Sequence, residues 1–527
     1  MLAGIGCCMP YRLLHGRSLL SRWAESNING YQGIVNVNRR LGTYGSNRPI
    51  RSDLTLKRSF SSTSSFTPIR CSSTSSNSST VDAISTGSDD SIFDVRGKIP
   101  VSVPVVELKS ADCSSTLWEL VKTKMIKPYL DLFIETYDLS VTPKDGDQES
   151  VIQEIISALK RRNVAVKCSA LDPRAEESND ANYRHAYSPI SVSLRSRLLG
   201  ALFVEPIMIT NIPRLIPTWK KPIIVSHHVF GDQYRDKGLT LHGGGRVELV
   251  FTPNDSKEPP KRCLVADFSE GDNGLCLGMY ATESSITSFA RCCFRYCILH
   301  RLPLYLSVNN PKMATYDGVF QSVFDDIYVK EFKTQFDHLN IWYEPRKFNN
   351  MVSEVLRSEG GFLWACKNYD GDVNADLVSA GFGLPGFTTY TYLSQDHQMC
   401  IVEGSNIPVR RLSPDDKGSG LIVGNPLSTI FTWTRGLKLR ARLDGNARLQ
   451  QFCYDLESAC IDTVEAGVYT RDILPYVDNN HHKVSGVDYL STEAFLDVVL
   501  KTLKVKLVSF QAPQTFSAAS NRLSDLW

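Results

Sequence analysis

The sequence contains no long apolar run, and its charges are nearly balanced. No stretch of the 527 residues approaches the roughly 20 apolar residues that a helix needs to cross a bilayer. A formal net charge of +2 argues against the strongly basic surface that nucleic-acid binding requires. We therefore expect neither a membrane nor a nucleic acid among the partners of this protein.

Cysteine spacing of the zinc-binding type is also absent. The chain has 14 cysteines, but their spacing does not match that of a zinc site. Cys292, Cys293 and Cys297 fall within an apolar segment of helical spacing, where thiols usually serve as small core residues. We expect free thiols.

Acidic residues are scarce in the first 80 positions. This segment has only Glu25 and Asp53 against ten basic residues, and it ends in a serine-rich run from Ser59 to Thr80. A composition rich in Arg and Ser and poor in acidic residues is typical of an organellar transit peptide. Arg58-Ser59-Phe60-Ser61 favours a mitochondrial matrix address, while a plastid address and a tail without an address remain as alternatives.

The rest of the chain alternates between predicted strands and helices. An apolar content of 42% is enough to fill the cores of two or three domains. Val101–Leu108 and Val164–Cys168 have strand patterns, and Asn446–Ala466 has the pattern of an amphipathic helix. This alternation predicts an α/β fold, with helices covering a sheet.

An apolar run lies directly before a group of carboxylates near the middle of the chain. Phe362–Cys366 is predicted to be a buried strand, and Asp370-Gly371-Asp372 has the composition of a tight turn. Asp372 and Asp376 are four residues apart, so one helical turn places both carboxylates on the same face. Two carboxylates suit Mg²⁺ or Mn²⁺ better than zinc, although a solvated loop has the same pattern.

Four sequence blocks together resemble the eukaryotic-type NADP-dependent isocitrate dehydrogenases, within the isocitrate/isopropylmalate dehydrogenase superfamily. The blocks occur in the order and spacing of that family, and the resemblance extends from about Gly97 to about Leu507. They are Asn211–Leu215, Gly231–Arg235, Trp364–Val373 and Phe431–Gly436.

The resemblance implies a large α/β domain, a small α/β domain and a clasp that interlocks two subunits of a homodimer. Predicted strands at 246–251 and 262–268 belong to the clasp. The expected division is a leader and linker at 1–80, the large domain at 97–198 and 383–508, the small domain at 199–231 and 283–382, the clasp at 232–282 and a tail at 509–527.

For the metal, the resemblance implies that each subunit gives two carboxylates to its own site, and these match Asp372 and Asp376. The third ligand, an acidic residue from the other subunit, is replaced by Asn349. An amide still offers an oxygen, but the loss of one negative charge predicts weaker binding of Mg²⁺ or Mn²⁺.

For catalysis, Tyr234 matches the tyrosine expected to protonate the enol that forms after decarboxylation. Its usual partner, a lysine from the other subunit, is replaced by Asn309. An amide does not exchange a proton at neutral pH, so general base catalysis, worth about 100-fold to 10,000-fold, lacks its usual residue.

For the substrate, a tricarboxylic acid, Ser188 is kept and Arg195 matches one of the expected arginines, with Arg197 as a rival for the same role. Four further positions differ from the family pattern. They are Asp172 in place of a threonine, Ile190 in place of an asparagine, and Val204 and His227 in place of two arginines.

The exchange at position 227 places two histidines side by side. Imidazole does not reproduce the bidentate grip of arginine on a carboxylate. The pair His227-His228 is interpreted as hydrogen-bonded packing, with zinc binding as the less favoured alternative.

For the cofactor, the family's phosphate and adenine loop corresponds to 406–412, where Ile407 stands in place of a glycine and Pro408 removes an amide donor. Arg357, Arg411 and Asn425 stand at matching positions. These changes predict weakened NADP binding.

The resemblance implies oxidative decarboxylation of isocitrate to 2-oxoglutarate as the ancestral activity, and the replaced positions predict that this chain has it at a reduced level or not at all. Three alternatives remain. The protein is an NADP-linked enzyme for another 2-hydroxy or 2-keto acid, or a non-catalytic regulatory partner that forms a heterodimer with an active paralogue, or compensating residues restore ordinary activity.

Overall fold

The structure is a computed structural model. It describes residues 97–109, 113–139, 148–168, 190–255, 257–383, 386–405, 410–411, 422–477 and 489–509. The predicted leader at 1–80, all but the first residue of the predicted tail at 509–527, Asp172, Ser188 and most of the loop at 406–412 lie outside the described residues.

The described residues form helices and strands that alternate along much of the chain. The strands are β1 Ile99–Lys109, β2 Leu130–Asp138, β3 Val164–Lys167, β4 Ala201–Pro206, β5 Ile223–His228, β6 Asp232–His242, β7 Gly245–Phe251, β8 Lys261–Phe268, β9 Asn273–Tyr280, β10 Leu304–Val308, β11 Tyr343–Lys347, β12 Phe362–Cys366, β13 Thr388–Leu393, β14 Cys400–Gly404, β15 Arg410–Arg411 and β16 Ile422–Val423. The helices are α1 Cys113–Val121, α2 Gln148–Arg162, α3 Ile190–Leu198, α4 Glu283–His300, α5 Asp317–Ile327, α6 Lys333–Leu339, α7 Phe348–Arg357, α8 Asn368–Gly381, α9 Leu427–Asp444, α10 Ala447–Glu465 and α11 Thr492–Ser509, with π-helical turns at Lys122–Ile126 and Tyr328–Phe332 and a 3₁₀ turn at Leu474–Tyr476.

Ten strands form one mixed sheet in the order β11-β10-β12-β5-β4-β13-β14-β3-β1-β2. β11, β10, β12 and β5 are parallel to one another, as are β14, β3, β1 and β2. β4 and β13 join the two groups through antiparallel pairs. The predicted α/β class is confirmed, and the predicted strands at 101–108, 164–168 and 362–366 correspond to β1, β3 and β12.

The two faces of this sheet have different cores, because side chains alternate along each strand. On one face a single large cluster, the common core, packs against α4, α9, α10 and α11. It includes Val164, Phe203, Leu363, Val402, Phe289, Ile430, Leu449 and Phe495.

On the other face the core is divided in two. The α2 core contains Leu108, Ile155, Leu159, Ala165, Leu202 and Tyr392. The α8 core contains Val204, Trp219, Val225, Met351, Trp364 and Val378. The gap between these two cores is where polar side chains meet.

Two separate pairs of strands, β6 with β9 and β7 with β8, contain the predicted clasp strands. Many of their apolar side chains are exposed, including Leu239, Leu249, Phe251, Leu264, Leu275 and Leu277. An isolated two-stranded ribbon is only marginally stable in water, so these ribbons fit a segment that another surface covers. The division into large domain, small domain and clasp stays a prediction.

In the described part of the chain, no helix is both long and apolar enough to cross a membrane.

A buried ion pair connects β4 to α9. Arg435 Nη1 lies 2.7 Å from Glu205 Oε2, and the hydroxyl of Tyr296 donates a hydrogen bond of 2.9 Å to the same carboxylate. Removing one partner of a buried pair leaves an uncompensated charge in the core, which commonly costs about 3 to 5 kcal/mol.

We therefore predict that Arg435→Met lowers the free energy of unfolding by about 3 kcal/mol or more. Lys330→Met, which breaks an exposed pair with Asp326, is the control and is expected to change it by less than about 1 kcal/mol. Urea unfolding at one fixed protein concentration measures both. Equal changes in the two variants would contradict the prediction.

Candidate active site

The candidate site lies between the α2 core and the α8 core, where one row of side chains crosses four neighbouring strands. Val204 on β4 is the partner of Tyr390 on β13, Tyr390 of Glu403 on β14, and Glu403 of Lys167 on β3. Directly paired residues project to the same face of a sheet. The register thus brings an aromatic hydroxyl, a carboxylate and an ammonium together on one face.

Glu403 is the centre of a compact charge cluster. Lys167 Nζ donates a hydrogen bond of 2.7 Å to Glu403 Oε2, and Arg195 Nη2 donates one to Oε1. Burial alone would raise the pKa of Glu403, but Arg195 and Lys167 outweigh burial and lower it to about 2. This carboxylate is therefore ionised at neutral pH and holds both cations.

Arg195 and Arg197 are the two candidates for the same substrate contact, and they lie in different places in the structure. Arg195, on α3, reaches Glu403 at the site. Arg197 instead makes two hydrogen bonds of 2.5 and 2.7 Å to the exposed carboxylate of Glu149 on α2. Arg195 is the arginine at the site, and its guanidinium is already engaged by the protein.

His227 lies at the carboxyl end of β5 with 3% of its side chain exposed. Its Nδ1 is 3.2 Å from the backbone oxygen of His228, and its Nε2 is 3.2 Å from Asp372 Oδ1. Burial lowers the pKa of His227, and nearby Arg195 lowers it further, although Asp372 and Asn368 act in the opposite direction. The imidazole therefore does not supply the permanent positive charge of an arginine.

His228 has a packing role, as expected. Its Nε2 lies 3.1 Å from the hydroxyl of Ser285, and its ring contacts Phe289 and Phe320. The two histidines thus face different surroundings, and only His227 reaches the carboxylates.

Asp372 and Asp376 lie on α8, which follows β12. The tight turn predicted at Asp370-Gly371-Asp372 is wrong, because the helix already begins at Asn368 and includes all three residues. Burial raises the pKa of Asp376, and repulsion from Asp372 raises it further. The two carboxylates repel each other. A bound cation would reduce this repulsion, so this pair of oxygen donors fits a divalent metal.

Among the residues that the structure describes, no group of three or more His, Cys, Asp or Glu side chains is arranged to hold a metal ion. The metal site and the ligand expected from a second subunit stay predictions.

Gly371 permits close contact between α8 and β5. A Cβ atom added at Gly371 would lie 2.0 Å from the Cβ of His227. Any larger residue would separate the helix from the strand, so the glycine fixes the distance between Asp372 and His227.

Sequence reasoning missed Tyr390, Glu403 and Lys167. Tyr390 is half-buried and packs against both the α2 core and the α8 core. The pKa of Tyr390 is raised by burial and then by the charges of Asp376 and Glu403. The sequence did contain one signal for this site. β3 is apolar except for its last residue, Lys167, and β14 has a single charged residue, Glu403, at its penultimate position.

Several predicted site residues are not brought to this cluster by the single chain. Asn309 follows β10, and its backbone N–H donates a hydrogen bond of 2.6 Å to Asp317. Asn349 is exposed in the first turn of α7. Tyr234 lies on β6, but its side chain is outside what the structure describes. Their roles stay predictions.

The three predicted cofactor positions lie in different settings. Arg357 is exposed at the end of α7. The backbone of Arg411 forms part of β15, while its side chain is outside what the structure describes. Asn425 is buried, and its amide donates to Asp472 and accepts from the backbone of Leu427. The role of Asn425 as a contact to NADP stays a prediction.

The sequence profile described as Isocitrate/isopropylmalate dehydrogenase matches residues 100–499. The chain belongs to this family. Within the family it is 40% identical over 412 residues to the cytoplasmic NADP isocitrate dehydrogenase of Dictyostelium discoideum, covering 78% of this chain and 99% of that relative. It is 38% identical over 415 residues to the NADP isocitrate dehydrogenase of Solanum tuberosum, covering 79% of this chain and 99% of that relative. It is 36% identical over 406 residues to the mitochondrial enzyme of Sus scrofa, covering 77% of this chain and 96% of that relative.

These similarities confirm the resemblance to the NADP-dependent isocitrate dehydrogenases that the four blocks indicated. The differences expected at the positions that line the substrate pocket stay predictions.

We predict that Gly371→Ala lowers the free energy of unfolding by about 1 to 3 kcal/mol, because the new methyl group collides with His227. Gly318→Ala is the matched control, since that helical glycine has only ordinary contacts around its missing Cβ. The control is expected to be neutral or to stabilise the protein by up to about 1 kcal/mol. Urea unfolding of the two variants measures the difference, and a control that loses as much stability as Gly371→Ala would contradict it.

Proposed function

We propose that this protein is a member of the NADP-dependent isocitrate dehydrogenase family in which the oxidative decarboxylation of isocitrate to 2-oxoglutarate is reduced or lost. The observation that supports this most strongly is the hydrogen bond between Arg195 and Glu403. Arg195 is the one predicted substrate arginine in the described site, and an internal carboxylate already engages it.

The charge balance of the site supports the same proposal. Among the residues that the structure describes, the cations that lower the pKa of Glu403 are Arg195 and Lys167, and Asp372 and Asp376 add two further negative charges near Tyr390. A tricarboxylate needs an excess of positive charge, and a divalent cation alone does not supply enough. The pocket therefore disfavours a trianion.

Two missing arginines add to this effect. Val204 is apolar and buried, and His227 is a buried imidazole whose pKa is lowered. Loss of one buried charged contact commonly costs about 2 to 5 kcal/mol. Two such losses correspond to roughly 1,000-fold weaker recognition or more, since each 1.4 kcal/mol is about a factor of ten.

The family relationship and the pair Asp372 and Asp376 support a site for Mg²⁺ or Mn²⁺, completed by Asn349 from a second copy of the chain. A divalent cation bound there would polarise the hydroxyl and keto oxygens of a 2-hydroxy or 2-keto acid. Because Asn349 is neutral, we infer weaker cation binding than three carboxylates would give.

Proton transfer is also impaired in this proposal. Tyr234 remains as the candidate acid, but Asn309 occupies the position of the lysine with which it would exchange a proton. The expected loss is about 100-fold to 10,000-fold in rate. NADP remains the cofactor to test first, with Arg357 and Arg411 as its candidate contacts.

We predict that the purified chain gives no binding heat with millimolar isocitrate in the presence of Mn²⁺. Val204→Arg with His227→Arg is expected to restore binding by at least about 100-fold, because each arginine adds a charged contact. Val319→Arg with His338→Arg makes the same exchanges at exposed positions and is expected to restore nothing. Calorimetric titration measures all three proteins, and His227→Arg alone replaces the double variant if the latter does not fold.

Tight binding of both isocitrate and NADP by the unmodified chain would overturn the proposal. Binding of NADP without isocitrate would instead favour another 2-hydroxy or 2-keto acid as substrate. Tyr390 supports that alternative, because it is the cross-strand partner of both Val204 and Glu403 and keeps a neutral hydroxyl at neutral pH.

A second candidate function is regulation of an active paralogue through a mixed dimer. The exposed apolar side chains of the β6–β9 and β7–β8 ribbons favour a second subunit, either another copy or a paralogue. In this family Asn309 and Asn349 are expected to project into the neighbour's pocket, so the paralogue's site would lack both the lysine and the acidic ligand.

Co-expression with an active relative is therefore expected to lower that relative's turnover per active chain by at least about 100-fold in the purified mixed dimer. Leu275→Asp, which adds a charge at a side chain that is 80% exposed, is expected to prevent dimer formation and so to leave the relative uninhibited. Unchanged turnover in a mixed dimer of verified composition would rule out this function.

We propose the mitochondrial matrix as the location, with a plastid as the alternative, on the composition of residues 1–80. The relatives named above include both cytoplasmic and mitochondrial enzymes.

A further inference from the structure

A second cavity, separate from the charge cluster of Glu403, lies at one edge of the ten-stranded sheet. Its volume is about 680 Å³, and its lining includes Glu344, Arg346, Glu354 and Arg357. Small-molecule sites commonly measure about 300 to 1,000 Å³, so the cavity is large enough for part of a nucleotide.

The fold of this region explains why charged side chains line the cavity. The edge strand β11 is followed directly by α7, whose Met351 and Val355 point inward and join the α8 core. Glu354 and Arg357 lie on the other side of α7, three residues apart, so their side chains are neighbours. The helix and the edge strand thus enclose a polar space between them.

The guanidinium of Arg346 is fully engaged by the carboxylates of the cavity. Its Nε and Nη2 donate hydrogen bonds of 2.8 and 3.0 Å to Glu344, and its Nη1 lies 3.1 Å from Glu354 Oε2. The hydrogen bonds to Glu344 are the main reason why the pKa of Arg346 is raised. Arg346 is therefore cationic, but all three of its nitrogens are used by the protein.

Arg357 is the arginine of the cavity that the proposed function assigns to the cofactor. It is exposed at the end of α7, and Glu354 precedes it by one helical turn. A phosphate group that binds Arg357 would therefore lie close to the carboxylate of Glu354. The two residues favour different ligands.

This combination bears on the choice between NAD and NADP, which differ only in the 2′-phosphate on the adenosine ribose. In dinucleotide sites a carboxylate that accepts a hydrogen bond from the 2′-hydroxyl favours NAD, whereas an arginine accommodates the 2′-phosphate. A phosphomonoester carries a charge of about −1.5 to −2 at pH 7, so Glu354 and Glu344 would both repel it. The donor set of this cavity does not fit NADP well.

We propose that Glu354 makes this chain bind NAD in preference to NADP, with its carboxylate accepting hydrogen bonds from the hydroxyls of the adenosine ribose. This inference rests on the proposed role of Arg357 as a cofactor contact, and it changes the dinucleotide that the contact serves.

Calorimetric titration of the full chain with NADH and with NADPH, in the absence of substrate, tests the preference without any need for catalysis. NADH is expected to bind at least about tenfold more tightly than NADPH. The same comparison between AMP and adenosine 2′,5′-bisphosphate isolates the 2′-phosphate, and AMP is expected to bind more tightly.

Variants then assign the preference to one carboxylate. Glu354→Gln keeps the size of the side chain and removes its charge, so it is expected to strengthen NADPH binding by roughly tenfold and to weaken NADH binding. The side chain of Glu354 is 46% exposed, so the fold should tolerate the exchange. Glu331→Gln, which removes an exposed carboxylate paired with Arg291, is the control and is expected to change neither affinity by more than about twofold.

Arg357→Met separates this inference from the proposal on which it rests, because it is expected to weaken the binding of both dinucleotides. If Arg357→Met weakens binding but the chain prefers NADPH, or Glu354→Gln leaves the preference unchanged, the role of Glu354 is overturned and Arg357 remains a cofactor contact. If neither dinucleotide binds, or Arg357→Met has no effect, both are overturned.

Discussion

The carboxylate of Glu403 is buried between Lys167 and Arg195, and the rest of the site depends on this three-residue cluster. A buried carboxylate without cations would cost several kcal/mol, so both cations stabilise the sheet at this position. Both cations therefore already form ion pairs with Glu403 when no ligand is bound. At the two positions where the resemblance leads us to expect further arginines, the chain has Val204 and His227, and neither supplies a permanent positive charge.

The position of the cluster follows from the divided core on one face of the sheet. The α2 core and the α8 core do not meet, and the polar side chains occupy the region between them. Tyr390 contacts both cores and is the cross-strand partner of Val204, so an aromatic ring lies beside the apolar residue that replaces an expected arginine. This part of the pocket offers apolar contact and one hydroxyl where a guanidinium would bind a carboxylate.

Features that depend on local pattern could be predicted from the sequence. β12 follows from an uninterrupted apolar run, and α10 follows from a regular apolar face that Gly467 ends. Resemblance added the positions that the family uses, including those that His227 and Asp372 occupy in this chain. Neither approach predicted the pair formed by Lys167 and Glu403, because these residues are 236 positions apart and only the register of β3 on β14 brings them together.

The start of α8 was predicted wrongly for a related reason. Asp370-Gly371-Asp372 has the composition of a turn, but Gly371 is needed because the helix touches β5 at His227. That requirement comes from a tertiary contact, which overrides local preference.

The contact at Gly371 also links the interior of the protein to its surface. With no side chain at Gly371, α8 packs directly against β5 at His227. The opposite side of α8 presents Tyr369, Val373 and Leu377 to solvent, one turn apart. One helix thus carries both the carboxylates of the site and an exposed apolar strip.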